Sequence, residues 1–419
     1  MKITIIGAGI IGVTSAYFLA KVGYDVEVID RAEGPALETS FANAGMITPS
    51  MSDPWNAPGI FTELIKSIGR PDSSFLLRPK AVPSLIGWGI KFLLNSRKKK
   101  FLSNMHHSAD ISCYSLNILK EMRQELNIEY EQRITGSLRI FRDQESIGEY
   151  GDFAKHLDKH NLHFTKATPE DLDEIEPSLV PIMDQLCGGI FFPDDETGNA
   201  HVFTCKLAEI AKNIGVSFRY GLSVEDLIKE KGKITKILTS DGEIDADLVV
   251  LCTGSFSPLL GKKVGINIPV RPVKGYSISV PLNGWNGGPI MPIIDDSFHA
   301  AISPIGDTVR VAGTAEFAGY DDNLDKVRID NLYNLLEEIY PEFAATVDRS
   351  EVKEWCGFRP LSVDGKPYIG KTPIENLFVN TGHGPLGWTM SMGSAKMLSD
   401  IISGEEPALN PAPYALSRS

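Results

Sequence analysis

The sequence predicts an α/β protein with two domains, one of which is assembled from distant parts of the chain. Two observations lead to this prediction. The N-terminus reads as a strand, a glycine turn, a helix and a second strand, the order of a βαβ unit. Near the other end, Asn376–Val379, Gly382–Gly387 and Thr389–Ile402 again read as a strand, a glycine-rich loop and a helix. Both segments have the parts of a ligand-binding helix N-terminus, so we expect them to meet at one ligand.

The N-terminal unit carries its glycines in a defined context. Lys2–Ile6 is a β-branched run typical of a buried strand, and Gly12–Val22 has apolar residues at helical spacing. Asp25–Ile29 is a second strand, and it is followed by Asp30. A GxGxxG motif between such a strand and helix, with an acid after the second strand, is the dinucleotide fingerprint of a Rossmann-like domain.

Each motif residue has a predicted physical role. Gly7 makes the tight turn, Gly9 lets a pyrophosphate approach the backbone, and Gly12 allows close packing of helix on strand. Asp30 is placed to accept hydrogen bonds from a ribose hydroxyl. The fingerprint by itself leaves NAD and FAD open.

Two further segments favour FAD over NAD. Arg31 is followed by Glu38–Met46, a small, polar and glycine-containing stretch suited to a loop beneath a flavin. Leu248–Gly254 is a buried strand that ends in Thr253 and Gly254, as expected where a long cofactor passes the carboxyl edge of a sheet. An NAD-dependent dehydrogenase remains the alternative from these residues.

A fixed cation lies in the C-terminal segment. Arg359 precedes Pro360, which stiffens the backbone beside it. The planar fork of an arginine suits a carboxylate. The segment is therefore predicted to hold an anionic substrate next to a cofactor.

At this point the chain resembles the FAD-dependent amine oxidoreductases of the D-amino acid oxidase type, and most closely the bacterial D-amino acid dehydrogenases of the small-subunit type. The matching segments run from end to end and are Gly7–Gly12 with Asp30, Leu37–Gly45, Pro54–Gly59, Arg310–Glu316 and Gly357–Thr389.

The resemblance implies a non-covalent FAD and a D-amino acid substrate. A hydride would pass from Cα to flavin N5 to give an imino acid, and a quinone or another acceptor would take the electrons. Arg359 would pair with the substrate carboxylate. The residues expected to hold FAD are Gly7, Gly9, Ile10, Ile11, Gly12, Asp30, Arg31, Ser40, Asn43, Ala44, Gly45, Met46, Val224, Thr253, Gly254, Gly382, His383, Gly384, Leu386, Gly387, Trp388 and Thr389.

Two other side chains are candidates for the substrate pocket. Tyr276 is expected to reach the substrate through its hydroxyl, and His299 to line the pocket. A core or surface role is the alternative for each. His383, within Gly-His-Gly, is expected to contact the flavin through its backbone. No general base is required if the substrate loses its ammonium proton before or during binding.

The chain departs from the family pattern at Met46, at Ser297–His299 and at Pro385. These positions are expected to face the substrate, so the preferred side chain stays open. A less polar pocket at Met46 and Phe298 is compatible with D-proline or D-hydroxyproline. Further alternatives are a glycine- or sarcosine-type oxidase that uses oxygen and a non-catalytic flavin-binding subunit.

Composition limits the function classes. The net charge is −13, which argues against nucleic acid as a partner. The five cysteines include no CxxC pair, so neither disulfides nor a metal site are expected, and a reducing cytoplasmic location fits. Met1–Ala20 has the apolar character of a signal peptide, but the embedded glycine motif makes it a strand and a helix.

We predict that residues 1–75, 196–272 and 350–419 form the FAD-binding domain. Residues 76–195 and 273–349 would form an α+β substrate-binding domain with an antiparallel sheet. Its strands would include Gly275–Val280, Ala300–Ile302 and Thr308–Ala312, and its helix Leu324–Ile339.

One basic and apolar segment, Arg78–Leu102, stands apart in this acidic chain. Such a stretch is able to lie on an anionic membrane surface, here the inner face of the membrane. The alternative is a helix packed in the substrate-binding domain with a solvated basic end.

Overall fold

The structure is a computed structural model that describes residues 1–70, 73 and 75–418. Its strands are β1 Lys2–Ile6, β2 Asp25–Ile29, β3 Met46–Ile47, β4 Phe75–Leu77, β5 Ser137–Phe141, β6 Thr165–Ala167, β7 Gly188–Phe192, β8 Glu196–Thr197, β9 Ser217–Arg219, β10 Val224–Glu230, β11 Lys233–Thr239, β12 Gly242–Asp245, β13 Leu248–Leu251, β14 Val270–Pro281, β15 Ile293–Asp295, β16 Ala300–Ile305, β17 Thr308–Phe317, β18 Lys353–Ser362, β19 Tyr368–Lys371 and β20 Leu377–Thr381. Its helices are α1 Ile10–Lys21, α2 Ile60–Lys66, α3 Val82–Asn95, α4 Lys98–Leu126, α5 Gln144–Ala154, α6 Pro169–Ile175, α7 Ala200–Asn213, α8 Ser257–Lys263, α9 Lys326–Ile339, α10 Pro341–Ala344 and α11 Gly387–Ser403.

The predicted βαβ unit lies at the centre of a mainly parallel sheet. The strand order is β19-β20-β13-β1-β2-β9, and β1 pairs in parallel with both β13 and β2. β19 is the antiparallel edge strand. The β-branched residues of β1 are almost fully buried, as a strand covered on both faces requires. The predicted Rossmann-like unit is therefore confirmed, with both strand ranges as expected.

A layer of helices covers this sheet. α1 packs against α7 and α11, and α4 packs against α11. Ile111, Leu116 and Leu119 of α4 belong to the same hydrophobic core as the residues of α1. This corrects the predicted domain division, which placed α4 in the substrate-binding domain. The apolar spacing of α4 shows that one face is buried, but it carries no information about the partner.

The second sheet is large and mostly antiparallel. Its order is β18-β14-β17-β16-β15-β5-β7-β6, with β4 added in parallel to β17. α9 covers one face of this sheet and shares a core with β14. The antiparallel sheet and the helix expected near Leu324–Ile339 are confirmed. β18, predicted within the cofactor-binding part of the chain, instead pairs with β14.

The remaining strands form two small sheets. β10, β11 and β12 form an antiparallel meander, and β3 pairs with β8. Among the residues that the structure describes, no helix has the length and apolarity needed to cross a membrane.

Candidate active site

A cavity of about 960 Å³ lies where the carboxyl end of the parallel sheet meets the large sheet. Its walls include the ends of β1, β13 and β20 on one side and residues of β14, β16, β17 and β18 on the other. The N-terminal and C-terminal glycine segments both reach it. The fold therefore brings the two segments to one site, as the sequence predicts.

The first glycine segment has no space for side chains. A Cβ on Gly12 would lie 1.8 Å from the carbonyl oxygen of Gly7, and one on Gly7 would lie 2.6 Å from that of Cys252. Gly7 also has a φ of 109°. Gly7, Gly9, Ile10 and Ile11 line the cavity, while Gly12 lies behind them and allows α1 to approach β1.

Asp30 and Arg31 line the cavity just after β2. The Asp30 carboxylate accepts hydrogen bonds from the backbone N–H of Ala8 at 2.5 Å and of Ala32 at 2.8 Å. It therefore anchors the glycine turn as well as facing the site. Arg31 pairs with Glu38 at 2.5 Å and places its guanidinium 4.1 Å from the centre of the Phe256 ring.

The segment from Ser40 to Met46 forms another part of the wall. Ser40, Asn43, Ala44, Gly45 and Met46 all line the cavity. Ser40 Oγ accepts a hydrogen bond from the Ile10 N–H at 3.1 Å, which joins this loop to the start of α1. Gly45 has a φ of 71°, and a Cβ there would lie 2.4 Å from Ile305 Cδ1.

The C-terminal loop closes the wall between β20 and α11. His383, Gly384, Leu386, Gly387 and Trp388 line the cavity. The imidazole of His383 is buried, shares a hydrogen bond of 3.1 Å with Ser394 Oγ, and has its pKa lowered to about 3 by burial. It is therefore neutral at physiological pH and directed into the protein, so its backbone is the part available to a ligand.

Two predicted residues of this loop do not line the cavity. A Cβ on Gly382 would lie 3.1 Å from both Tyr368 and Val270, so its smallness serves packing. Thr389 Oγ1 accepts a hydrogen bond from the Thr48 N–H at 3.0 Å. Thr389 thus ties α11 to the chain that follows Met46.

Val224, Thr253 and Gly254 line the cavity beyond the glycine turn. Val224 is the first residue of β10. Gly254 has a φ of 50°, and its carbonyl accepts a hydrogen bond from Thr381 Oγ1 at 2.9 Å. These contacts connect β13 with β20 below the site.

Arg359 enters the cavity from β18 and crosses the neighbouring strand β14. Its guanidinium donates to the Thr314 carbonyl at 2.8 Å and lies 5.5 Å from the centre of the Trp55 ring. A Cβ on Gly275 of β14 would lie 2.0 Å from its Nη1, so this glycine provides the path.

The charge of Arg359 has no counterion within residues 1–70, 73 and 75–418. Among the described residues no carboxylate forms an ion pair with it, and burial together with Arg328 lowers its pKa to about 10. It still carries its charge at neutral pH. A half-buried cation that faces a cavity without a counterion is suited to an anionic ligand.

Tyr276 lies beside Gly275 on β14. Its ring lies in the core shared with α9, and its hydroxyl donates to Glu316 Oε2 at 2.6 Å. Tyr276 alternates with Gly275 along β14 and faces away from Arg359 because successive strand residues point to opposite faces. Tyr276 is nevertheless one of the residues that line the cavity, so the expected contact between its hydroxyl and a substrate stays a prediction.

His299 lies on the cavity wall, in the turn between β15 and β16, with a φ of 48°. The loss of water around its imidazole lowers its pKa. Of the departures from the family pattern, Met46, His299 and Pro385 line the cavity, whereas Phe298 packs 5.6 Å from the Arg142 guanidinium.

Several cavity residues were not found from the sequence. Asp53, Trp55, Arg139 and Thr314 line the wall, and they come from a loop and from two strands far apart in the chain. Trp55 lies in the Pro54–Gly59 match and Thr314 in the Arg310–Glu316 match, which assigned neither residue a role, whereas Asp53 and Arg139 lie outside the matching segments.

The sequence pattern of the family described as DAO, FAD dependent oxidoreductase, matches residues 2–401. The chain belongs to this family. As a member it is an FAD-dependent oxidoreductase, and the NAD alternative is excluded.

Full-length relatives agree with this assignment. A D-amino acid dehydrogenase of Allorhizobium ampelinum is 41% identical over 418 residues, which cover 100% of this chain and 98% of the relative. A D-amino acid dehydrogenase of Paramagnetospirillum magneticum is 40% identical, over 98% of this chain and 97% of the relative.

Solved structures share the fold of this flavoenzyme at low identity. Glycine oxidase from Bacillus cereus has a TM-score of 0.76 at 21% identity and covers 100% of this chain and 99% of its own. L-proline dehydrogenase from P. horikoshii has a TM-score of 0.78 at 20% identity and covers 100% of this chain and 97% of its own.

The cavity of this FAD-dependent oxidoreductase fits its cofactor. Glycine turns bring backbone N–H groups to the wall without side chains between, as a pyrophosphate and a flavin edge require. Three buried polar atoms of cavity-lining residues, Thr314 Oγ1, Asn380 Oδ1 and Trp388 Nε1, have no hydrogen-bond partner among the described residues. A ligand rich in nitrogen and oxygen matches such a wall.

Proposed function

We propose that this chain oxidises D-amino acids with FAD and passes the electrons to an acceptor other than oxygen. The observation that carries the proposal is Arg359, a cation that has no counterion in the part of the chain that the structure describes and shares a cavity with the two glycine segments. The names of the relatives at about 40% identity support the D configuration and the dehydrogenase class.

When bound, FAD would supply the redox chemistry as the acceptor of the hydride from Cα of the substrate. Arg359 binds the substrate carboxylate through two parallel N–H···O bonds and thereby fixes the direction of the Cα–H bond. The neutral amine donates its lone pair to form the C=N bond as the hydride leaves. Water then converts the imino acid into a 2-oxo acid and ammonia, whereas a proline-type substrate gives a cyclic imine.

The chain's own contribution to cofactor binding is mostly backbone. Gly9, Ile10 and Ile11 present the N-terminus of α1 to a pyrophosphate, and Asp30 faces a ribose. The segments Ser40–Met46 and His383–Trp388 would hold the flavin, and Val224 would meet the adenine. α11 begins at Gly387 without an acidic residue in its first turn, so its N-terminus favours the negative charge of a reduced flavin.

No protein base is assigned. His299 lines the cavity and is neutral at physiological pH, so we give it a role in shaping the substrate pocket. Tyr276 also lines the cavity, but its hydroxyl donates to Glu316, so we assign it no role as a base. The amine proton is lost before or during binding.

Anaerobic bleaching of the flavin absorption band tests this proposal. The purified protein is mixed with D- and L-amino acids, glycine, sarcosine and D-proline analogues. Bleaching by D-amino acids, with little peroxide formed in air, is expected. Rapid peroxide production would favour the oxidase alternative, and a yellow protein that no compound bleaches would refute the proposal and favour a non-catalytic flavin-binding subunit.

We further propose that the electron acceptor is a membrane quinone and that α3 lies on the cytoplasmic face of the inner membrane. Val82, Ile86, Ile90 and Leu94 recur every four residues along α3 and are exposed by 39%, 59%, 57% and 43%. The opposite face of α3 packs into a core through Trp88 and Phe92. Much of this apolar stripe is therefore open to solvent.

Charge and position support lipid as the occupant. The exposed basic residues Arg97, Lys98, Lys99 and Lys100 follow the stripe directly, in a chain with a net charge of −13. Anionic headgroups complement this local charge. α2 adds the exposed side chains of Phe61 and Ile65 and contributes Ile60 and Glu63 to the cavity wall, so an apolar acceptor would have a short path from lipid to the site.

Sedimentation with vesicles tests the membrane contact. The protein is expected to sediment with phosphatidylglycerol-containing vesicles at low salt and not with pure phosphatidylcholine. The double variant Ile86→Ser and Ile90→Ser should no longer sediment with the anionic vesicles. Ile214→Ser, at an exposed apolar residue after α7, serves as the control. Absence of sedimentation with anionic vesicles, or equal loss in the control, would contradict the proposal.

A further inference from the structure

The cavity wall beyond Arg359 carries a line of aromatic contacts. The Trp55 ring, 5.5 Å from the Arg359 guanidinium, lies edge to face with Phe75 at 5.8 Å between ring centres. Phe75 in turn lies 6.3 Å from the His299 ring. All of these residues line the cavity, so the space next to Arg359 continues towards His299.

Two of the ionisable side chains that line the cavity, Asp53 and Arg139, interact through their charges, and Arg139 is also held by a second carboxylate. Its guanidinium donates to Asp296 Oδ1 at 2.8 Å and lies 4.0 Å from the centre of the Tyr150 ring. An arginine that is held in this way by a carboxylate and an aromatic face has little capacity left for a second anion.

Asp53 lacks such a partner. It stands two residues before Trp55, and among the described residues no side chain forms a hydrogen bond or an ion pair with its carboxylate. Burial raises the pKa of Asp53; the charge of Arg139 and a hydrogen bond from its own backbone N–H oppose this effect, and the charge of Asp296 adds a smaller increase. A carboxylate in this position gains most from a ligand that brings a positive charge.

On the basis of the function proposed above, we propose that Asp53 binds the ammonium or guanidinium end of a basic side chain of the substrate. Arg359 takes the α-carboxylate, and Asp53 takes the cation at the other end of the same molecule. The enzyme then prefers D-amino acids with basic side chains. An acidic side chain would bring a second carboxylate to Asp53 and Asp296, so D-glutamate is discriminated against.

The dependence on substrate separates this role from that of a residue binding the α-amine. The α-amine is attached to the same carbon as the carboxylate that Arg359 holds, and it is common to all substrates. A residue that binds the α-amine would affect every substrate equally. A residue that binds the side chain affects only those substrates that carry the complementary group.

D-lysine and D-norleucine form a matched pair for the test, since their side chains share four carbons and differ by the terminal ammonium. kcat/KM is measured with an artificial electron acceptor for both, and for D-glutamate. The wild type is expected to favour D-lysine over D-norleucine by more than about tenfold, a difference of ~1.4 kcal/mol. D-glutamate is expected to be the poorest of the three.

Asp53→Asn keeps the shape of the side chain and removes its charge. It should lower kcat/KM for D-lysine by about tenfold or more and leave D-norleucine within about twofold. The flavin absorption band reports whether the variant is folded and loaded. Equal losses for both substrates, or a wild type without preference for D-lysine, would overturn the inference while leaving the proposed function in place.

Failure of the proposed function has a different signature. In that case neither D-lysine nor D-norleucine reduces the wild-type flavin, and the assignment of Asp53 falls with it.

Discussion

The guanidinium of Arg359 crosses strand β14 above Gly275 and donates a hydrogen bond to the carbonyl of Thr314 at 2.8 Å. The register of β14 and β17 shifts between Lys274 and Tyr276, so Thr314 lies in a β-bulge. Its φ of 59° is unusual for a β-branched residue. The bulge directs a backbone carbonyl at the arginine, which is thus oriented without a carboxylate that would neutralise it.

Arg359→Lys keeps the positive charge but loses the planar fork. We expect KM for the D-amino acid substrate to rise by about 10- to 100-fold, as for the loss of a bidentate charge-assisted contact worth roughly 1.4–3 kcal/mol. FAD content, read from the ratio of flavin to protein absorbance, should not change. Kinetics equal to those of the wild type would refute the assignment of Arg359 to the carboxylate.

Gly275→Ala tests the path of the same side chain. The added Cβ would lie 2.0 Å from Arg359 Nη1, so the guanidinium must move. We expect KM to rise as it does in Arg359→Lys, again with FAD retained. Gly148→Ala in α5 is the matched control, since a Cβ there meets nothing within 4 Å. If Gly275→Ala behaves like Gly148→Ala, the proposed position of the guanidinium is wrong.

Gly12→Ala tests the packing of the glycine turn. A Cβ on residue 12 would lie 1.8 Å from the carbonyl oxygen of Gly7, at the point where α1 packs against β1. The clash should displace the turn at a cost of roughly 1–3 kcal/mol and lower FAD affinity. The measurement is flavin retention after gel filtration, with Gly148→Ala as control. If Gly12→Ala binds FAD with unchanged affinity, the turn tolerates an alanine side chain and the prediction is wrong.

Asp195 makes stability depend on pH. It is fully buried, accepts hydrogen bonds from Ser50 Oγ at 2.5 Å and Ser137 Oγ at 2.6 Å, and burial raises its pKa to about 7. The folded state therefore holds a proton that the unfolded chain releases near pH 4. Between about pH 4 and 7 this group lowers the free energy of unfolding by ~1.4 kcal/mol per pH unit as pH rises.

Asp195→Asn removes this titration and is the corresponding test. The free energy of unfolding of the variant, relative to the wild type, should increase from pH 4 to pH 7 and stay constant above pH 8. Denaturant titrations at several pH values measure it. A difference between variant and wild type that does not change with pH would contradict the raised pKa.

The strands and helices nearest the cofactor were predictable because local constraints determine them. β-branched runs bounded by Gly7 and Asp30 read as strands, and the same residues form β1 and β2. The helix after the C-terminal glycine loop was also expected. A glycine turn leaves few backbone conformations, so its sequence is nearly sufficient to predict its shape.

The faces of the strands were harder to predict. Tyr276 and Gly275 are neighbours in β14, and the pleat alone puts one towards α9 and the other towards Arg359. In a strand buried on both faces the apolar pattern does not show which side is the core and which is the cavity. For this reason the sequence could place Tyr276 on the cavity wall but could not show that its hydroxyl is held by Glu316.

The sequence by itself determined the dinucleotide fingerprint, the resemblance to FAD-dependent oxidoreductases and the identity of Arg359 as a candidate ligand residue. Tertiary structure alone decided that β18 pairs with β14, that Thr314 orients Arg359, and that Asp53 and Arg139 share a wall. Local motifs follow from steric limits within a few residues. These three relationships instead join positions far apart in the chain, and they depend on sheet register and on packing between layers, which no local pattern encodes.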